Sequence, residues 1–250
     1  PIALLDARSL ATDWLDGYAA VLERVATLAP LPDVAPEAGT IALVGGLFDR
    51  RAGDVRGNQA ELTRLAGLLG LTPTLVWPDG GPVAGLAAAS RAETIVSLPY
   101  ARDAAQRLAE RLGRPHVPAP LPLGLRGTRS FLEALATGTG REARLEPAWD
   151  NEMRTLVPEI RDHAFRFLRG RRAWLEVDPH VAGGLLELLE DLGMEAVGLI
   201  VTGDPGPLSP DARAHLERAG ARFEPVLEAR PPDGIEVDAR TPVDVVVAST

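Results

Sequence analysis

The residues most able to do chemistry in this chain are acids, glycines and arginines gathered just past short apolar runs. Gly45, Gly46 and Asp49 follow the run IALV; Asp79, Gly80 and Gly81 follow TLVWP; Tyr100, Arg102 and Asp103 follow TIVSLP; Asp178 and His180 follow AWLEV. In an open parallel sheet, ligands sit beyond the carboxyl ends of the strands, where loops and helix N-termini gather. These four groups are therefore the candidate cofactor-binding residues, and the sequence assigns no catalytic residue. Each group also has a plain structural reading. Gly45 and Gly46 allow close approach of a ligand or simply a turn, and Asp178 with His180 forms either an acid/base or ligand pair or the cap of the helix that follows.

Other chemistry is excluded by composition. There is no cysteine, so disulfides, Cys-ligated zinc and Cys-ligated clusters have no donor here. All 26 basic residues are arginine, which removes Schiff bases, a P-loop ammonium and a lysine general base. The four histidines, His116, His163, His180 and His215, fall at no metal-ligand spacing, so no metal site is expected. GGLFDRRAG lacks the G-x-G-x-x-G dinucleotide fingerprint, and no G-x-S-x-G elbow occurs. Asp204 and Trp77 read as a turn residue and a packing residue.

The elements that must position these groups alternate. Residues 2–5 read as a strand, 14–28 as an amphipathic helix and 29–39, with three prolines, as a connector. From residue 41 the chain reads strand (41–44), helix (58–69), strand (74–77), short helix (83–89), strand (94–98), helix (101–112), strand (116–119) and helix (128–136). Residues 136–150 break the pattern. A long helix over 151–168, kinked or split at Pro158, then leads into strands at 172–177, 196–202, 222–227 and 243–248, with helices at 181–192 and 210–219. Short strands separated by helices imply parallel sheets covered on both faces. The fold class expected is α/β, with two consecutive Rossmann-like units, the second incomplete. The divisions are a leading strand, helix and connector over 1–39, a first unit over 40–148 and a second over 149–250.

The chain carries 46% hydrophobic residues and a net charge of −9 with no long run of either sign, which excludes nucleic acid and anionic membrane as expected partners. No apolar run approaches the roughly 20 residues needed to span a bilayer, and residues 1–13 lack the charged, apolar, small-residue order of a signal peptide; a cytoplasmic protein is the default expectation.

Three segments in order carry a resemblance. RDAAQRLAERLGRP with PLGLRGTRSFLEAL supplies Ala104, Leu108, Arg111, Gly113 and Pro115, then Pro122, Gly124, Thr128, Phe131 and Leu135. GRRA, then DP and GLLELLEDLGME, follow from Gly170 to Glu195, with arginine where lysine is usual. Upstream lies DVRGNQAELTRLAGLLGL, followed by Pro78, Asp79 and Gly80. Together these resemble the nitrogenase component 1 superfamily, which includes the nitrogenase α and β subunits, cofactor-assembly scaffolds and the dark-operative protochlorophyllide and chlorophyllide reductases.

The resemblance implies part of an oxidoreductase subunit that receives electrons from an ATP-driven iron–sulfur reductase. It implies a scaffold for an iron–sulfur cluster or tetrapyrrole held with partner segments, with no cofactor held within this chain. The partners implied are that reductase and either a homologous component 1 subunit or a second copy in a homo-oligomer. The family's cysteine-bearing N-terminal domain and its closing C-terminal segments are expected to lie outside this stretch. Two other readings stand beside this one: a non-catalytic α/β binding or assembly module that has lost its redox centre, and a two-domain ligand-binding or transferase protein of similar architecture.

Overall fold

The computed structural model describes residues 14–46, 52–204, 208, 210–224 and 242–248. The strand expected at residues 2–5 lies outside them. The fold is α/β, with two four-stranded parallel sheets flanked by helices among the described residues. It divides into two compact units, Pro1–Pro120 with Arg129–Asp150, and Leu121–Thr128 with Asn151–Thr250.

In the first unit, strands β1 (Thr40–Val44), β2 (Thr72–Trp77), β3 (Thr94–Ser97) and β4 (His116–Pro118) are ordered β2-β1-β3-β4 and all pair in parallel. Every residue of β1 and of β3 is buried, as an apolar strand covered on both faces must be. On one face Ala42, Val44 and Ile95 join Leu22 and Ala26 of helix α1 (Trp14–Leu28) and Ala104, Ala105 and Leu108 of α3 (Arg102–Leu112) in a single buried cluster. Helix α2 (Ala52–Leu68) packs beside β2. The short helix after β2 is a 3-10 segment, Val83–Arg91, and a 3-10 turn, Pro99–Ala101, leads into α3.

Four of the residues that carry the family resemblance, Ala104, Leu108, Arg111 and Gly113, serve the packing and termination of α3 and α1. Ala104 and Leu108 are fully buried, Gly113 closes α3 in the left-handed region at φ 62°, and Arg111 donates to the carbonyls of Ala26 and Ala29 at the end of α1. A guanidinium there satisfies helix-terminal carbonyls that would otherwise lack donors.

Of residues 136–150, where the sequence suggested a break, only Gly140 and Arg141 leave the helical conformation. Helix α4 runs Gly124–Thr139 and α5 runs Glu142–His163, straight through Pro147 and Pro158, and the division between units falls inside α5. Each proline removes one backbone donor. No residue of α5 is buried, so water can satisfy the carbonyls left over. A π-helical segment, Ala164–Leu168, ends the run.

In the second unit β5 (Arg172–Val177), β6 (Glu195–Thr202), β7 (Arg222–Glu224) and β8 (Val245–Ala248) are ordered β7-β6-β5-β8, again parallel. Helix α6 (Pro179–Asp191) links β5 to β6, and α7 (Pro210–Arg218) precedes β7. Among the described residues no helix is long and apolar enough to cross a membrane.

Candidate functional site at the carboxyl edges of the sheets

The strand order β2-β1-β3-β4 reverses direction between β1 and β3, so the carboxyl ends of those strands frame the point where an open α/β sheet offers a crevice. Gly45 and Gly46 leave β1 there. The Gly45 N–H donates to the Trp77 carbonyl at 2.7 Å, and the Leu98 N–H donates to the Val44 carbonyl at 2.8 Å, so the ladder holds all three strand ends together. Gly45 sits at φ 95°, and a β-carbon on it would lie 2.8 Å from the Ala101 nitrogen and 3.0 Å from the Leu98 oxygen. The turn after β3 therefore fills the space in front of Gly45. Gly46 has more room, its nearest neighbour for a β-carbon being the Pro78 oxygen at 4.0 Å.

The remaining groups predicted on this edge take distinct positions. Asp79 is exposed after the cis Trp77–Pro78 bond and folds back on its own loop, Oδ1 accepting the Gly81 N–H at 2.8 Å. Tyr100 is buried, edge-on to Tyr18 of α1 with ring centroids 6.4 Å apart. Burial pushes the Tyr18 phenol up to about 12. Arg102 and Asp103 are exposed in the first turn of α3, whose N-terminus has no side-chain cap. An acid in that turn is favoured by the helix dipole, and a cation is not. Asp49 lies outside the described residues.

Sequence reasoning missed one pair on this edge. His116 Nε2 lies 2.9 Å from the hydroxyl of Ser97, which is fully buried at the end of β3. Burial, and then the positive charge of Arg102, hold the His116 imidazole below its ordinary pKa of 6.5. Nothing local in the sequence marks the pair, because β3–β4 pairing brings residues 19 apart together.

Asp178 and His180 lie in the second unit, at the end of β5. The Asp178 side chain, 4% exposed, accepts the His180 backbone N–H at 2.8 Å and caps α6. The β5/β8 boundary is the reversal point of that sheet.

An iron–sulfur cluster takes thiolate ligands, and in some centres imidazole. The chain has no cysteine, and among the described residues no three His, Asp or Glu groups converge. The residues present do not fit such a cluster as its ligands. What the first edge offers is a backbone-lined wall with one cation, Arg102, two acids, Asp79 and Asp103, and behind it a histidine held below its ordinary pKa.

Comparison with known proteins places the chain. The family model described as nitrogenase component 1 type oxidoreductase matches residues 1–250, and the chain belongs to that family. It is 28% identical over 116 residues to a nitrogenase molybdenum-iron protein beta chain of Methanococcus maripaludis, covering 46% of this chain and 25% of that one. It is 29% identical over 143 residues to the nitrogenase iron-iron protein beta chain of Rhodobacter capsulatus, covering 54% and 31%. It is 30% identical over 146 residues to a light-independent protochlorophyllide reductase subunit of Methylobacterium sp. (strain 4-46), covering 58% and 28%. These matches span from a quarter to about a third of the relatives' own lengths. Among solved structures, one titled Nitrogenase Cp1 at pH 6.5 shares the fold with a TM-score of 0.59 at 19% identity, over 86% of this chain and 50% of that one.

Proposed function

We propose that this stretch is the scaffold portion of a nitrogenase component 1-type oxidoreductase subunit. Its two α/β units supply walls and framework, while the ligands of a cluster, or the slot for a tetrapyrrole, come from other segments or from a homologous subunit. Electrons arrive from an ATP-driven iron–sulfur reductase, in the cytoplasm. The observation that carries this reading is the family match along residues 1–250 in a chain without a single thiolate donor. When bound nearby, the redox group supplies the electron chemistry; this chain's own part is positional.

On this reading Gly45 and Gly46 keep the β1 end low, and Tyr100 backs the wall from the core. Asp79, Arg102 and Asp103 present the exposed polar rim of the first unit, with which Asp49 is counted. Asp178 and His180 hold the corresponding edge of the second.

The test is direct. After anaerobic incubation with iron, sulfide and reductant, the purified chain is expected to hold no stoichiometric iron and to stay colourless. Mixed with a cluster-loaded component 1 subunit, it is expected to form a defined complex in sedimentation. A cluster assembled on this chain alone would overturn the scaffold role.

A further inference from the structure

The end of α5 and the turn that follows it build a pocket inside the second unit. Val157, Ile160, Arg161 and Ala164 recur at i, i+3, i+4 and i+7, so they share one face. The segment Ala164–Leu168 is π-helical, and the Arg169 N–H donates to the Ala164 carbonyl five residues back at 2.8 Å. Such a turn re-aims the chain and is frequent at functional sites. It sets Arg169 beside Gly193, where a β-carbon would lie 3.5 Å from Arg169 Cγ.

Between this face and the end of α6 remains a pocket of about 310 Å³, walled by Leu125, Val157, Ile160 and Leu192. That volume lies at the lower end of the range for small-molecule sites.

Its charge is opposite to that of the chain. Arg161 and Arg169 line it, and the acid among its lining residues, Asp191, accepts the Leu125 N–H at 3.2 Å through Oδ2. The neighbouring acids are engaged elsewhere: Asp162 pairs with Arg166, and Glu187 and Glu190 with Arg126. Arg161 forms no ion pair among the described residues. The Arg161 guanidinium over apolar walls, in a chain of net charge −9, selects an anion with a greasy body.

We propose that this pocket binds a small monocarboxylate, an apolar body of roughly ten non-hydrogen atoms held among Val157, Ile160 and Leu192 with its carboxylate on Arg161. The apolar walls supply the affinity and the guanidinium supplies the choice of head group. This site is independent of the scaffold reading and does not rest on it.

The experiment is calorimetric titration of the full chain with octanoate and, separately, with octanol. Octanoate is expected to bind saturably at one site, about three- to fivefold more tightly than octanol, the range of an exposed ion pair. In Arg161→Gln the preference disappears while octanol affinity is unchanged. Arg161 is exposed, so this variant keeps the fold, which its thermal unfolding checks. Ile160→Asp is expected to remove binding of both. Equal binding of the two probes, an Arg161→Gln variant with unchanged octanoate affinity, or no saturation by octanoate would each overturn the site.

Discussion

Gly45 and Ala101 meet so closely that a methyl group on Gly45 would stand 2.9 Å from the Ala101 β-carbon and 2.8 Å from its nitrogen. The end of β1 and the turn after β3 are thus packed backbone to backbone at the reversal point of the first sheet. A ligand at this edge meets a closed floor in front of Gly45, with its nearest open approach over Gly46 and the Pro78 carbonyl.

That contact separates the two glycines experimentally. Gly45→Ala combines a left-handed φ of 95° with a clash against backbone, and neither can relax cheaply. It is expected to destabilise the chain by about 2–4 kcal/mol. Gly46→Ala, with 4.0 Å of clearance, is expected to change stability by less than about 1 kcal/mol. Denaturant unfolding of the two variants measures the difference, and equal losses would contradict the closed floor.

The Ser97–His116 pair predicts a pH effect whose sign follows from its surroundings. Because the folded state holds His116 below its ordinary 6.5, the folded chain binds fewer protons than the unfolded one just under that value. Stability is therefore whole above pH 6.5 and falls as the pH drops towards the folded pKa. Arg102→Gln removes one of the two causes and is expected to move the His116 titration upwards in an NMR series. The shift is partial, because burial, the larger cause, remains. No movement would show that Arg102 does not act on this ring.

Much of the frame was legible because its signals are local. Strand runs such as IALV and TIVS are apolar on both faces, and they do form buried parallel strands. Asp178 before Pro179 reads as a cap and is one. The segment 136–150 reads as a break because of its glycines and proline, and the helix does break there, but only at Gly140 and Arg141; the rest is taken up by the ends of α4 and α5. On α5, which buries nothing, two prolines are tolerated. The edge of the site was harder to see. That Tyr100 faces Tyr18, that Arg111 caps α1 and that Ser97 meets His116 are all consequences of long-range pairing.

Asp178 makes a separable prediction in the second unit. Its carboxylate satisfies a backbone donor at the start of α6 and is itself 4% exposed. Asp178→Ala is expected to cost about 1–2 kcal/mol, while Asp178→Asn or Asp178→Ser, which keep an acceptor, are expected to cost a fraction of that. If all three variants lost the same stability, the cap would not be the reason for the acid.

Asp244 clamps the last strand to β5, and its effect should be local. Its backbone N–H donates to the Arg172 carbonyl at 2.8 Å, its Oδ2 accepts the Arg172 N–H at 2.9 Å, and its Oδ1 pairs with Arg171 Nη1 at 2.8 Å. The Arg172 backbone bond first, and Arg171 second, hold the Asp244 carboxyl below its ordinary 3.8. The clamp is thus fully present above pH 3.8 and is lost as the pH falls through the lower folded value. Asp244→Asn keeps an acceptor for the Arg172 N–H but loses the charge facing Arg171, whereas Asp244→Ala loses both. Amide exchange in β8 is therefore expected to accelerate in the order wild type, Asn, Ala. The gap between wild type and Asn should close in acid, where the native carboxyl is also neutral. Exchange unchanged in the alanine variant would mean that strand pairing with β5 alone holds β8 in place.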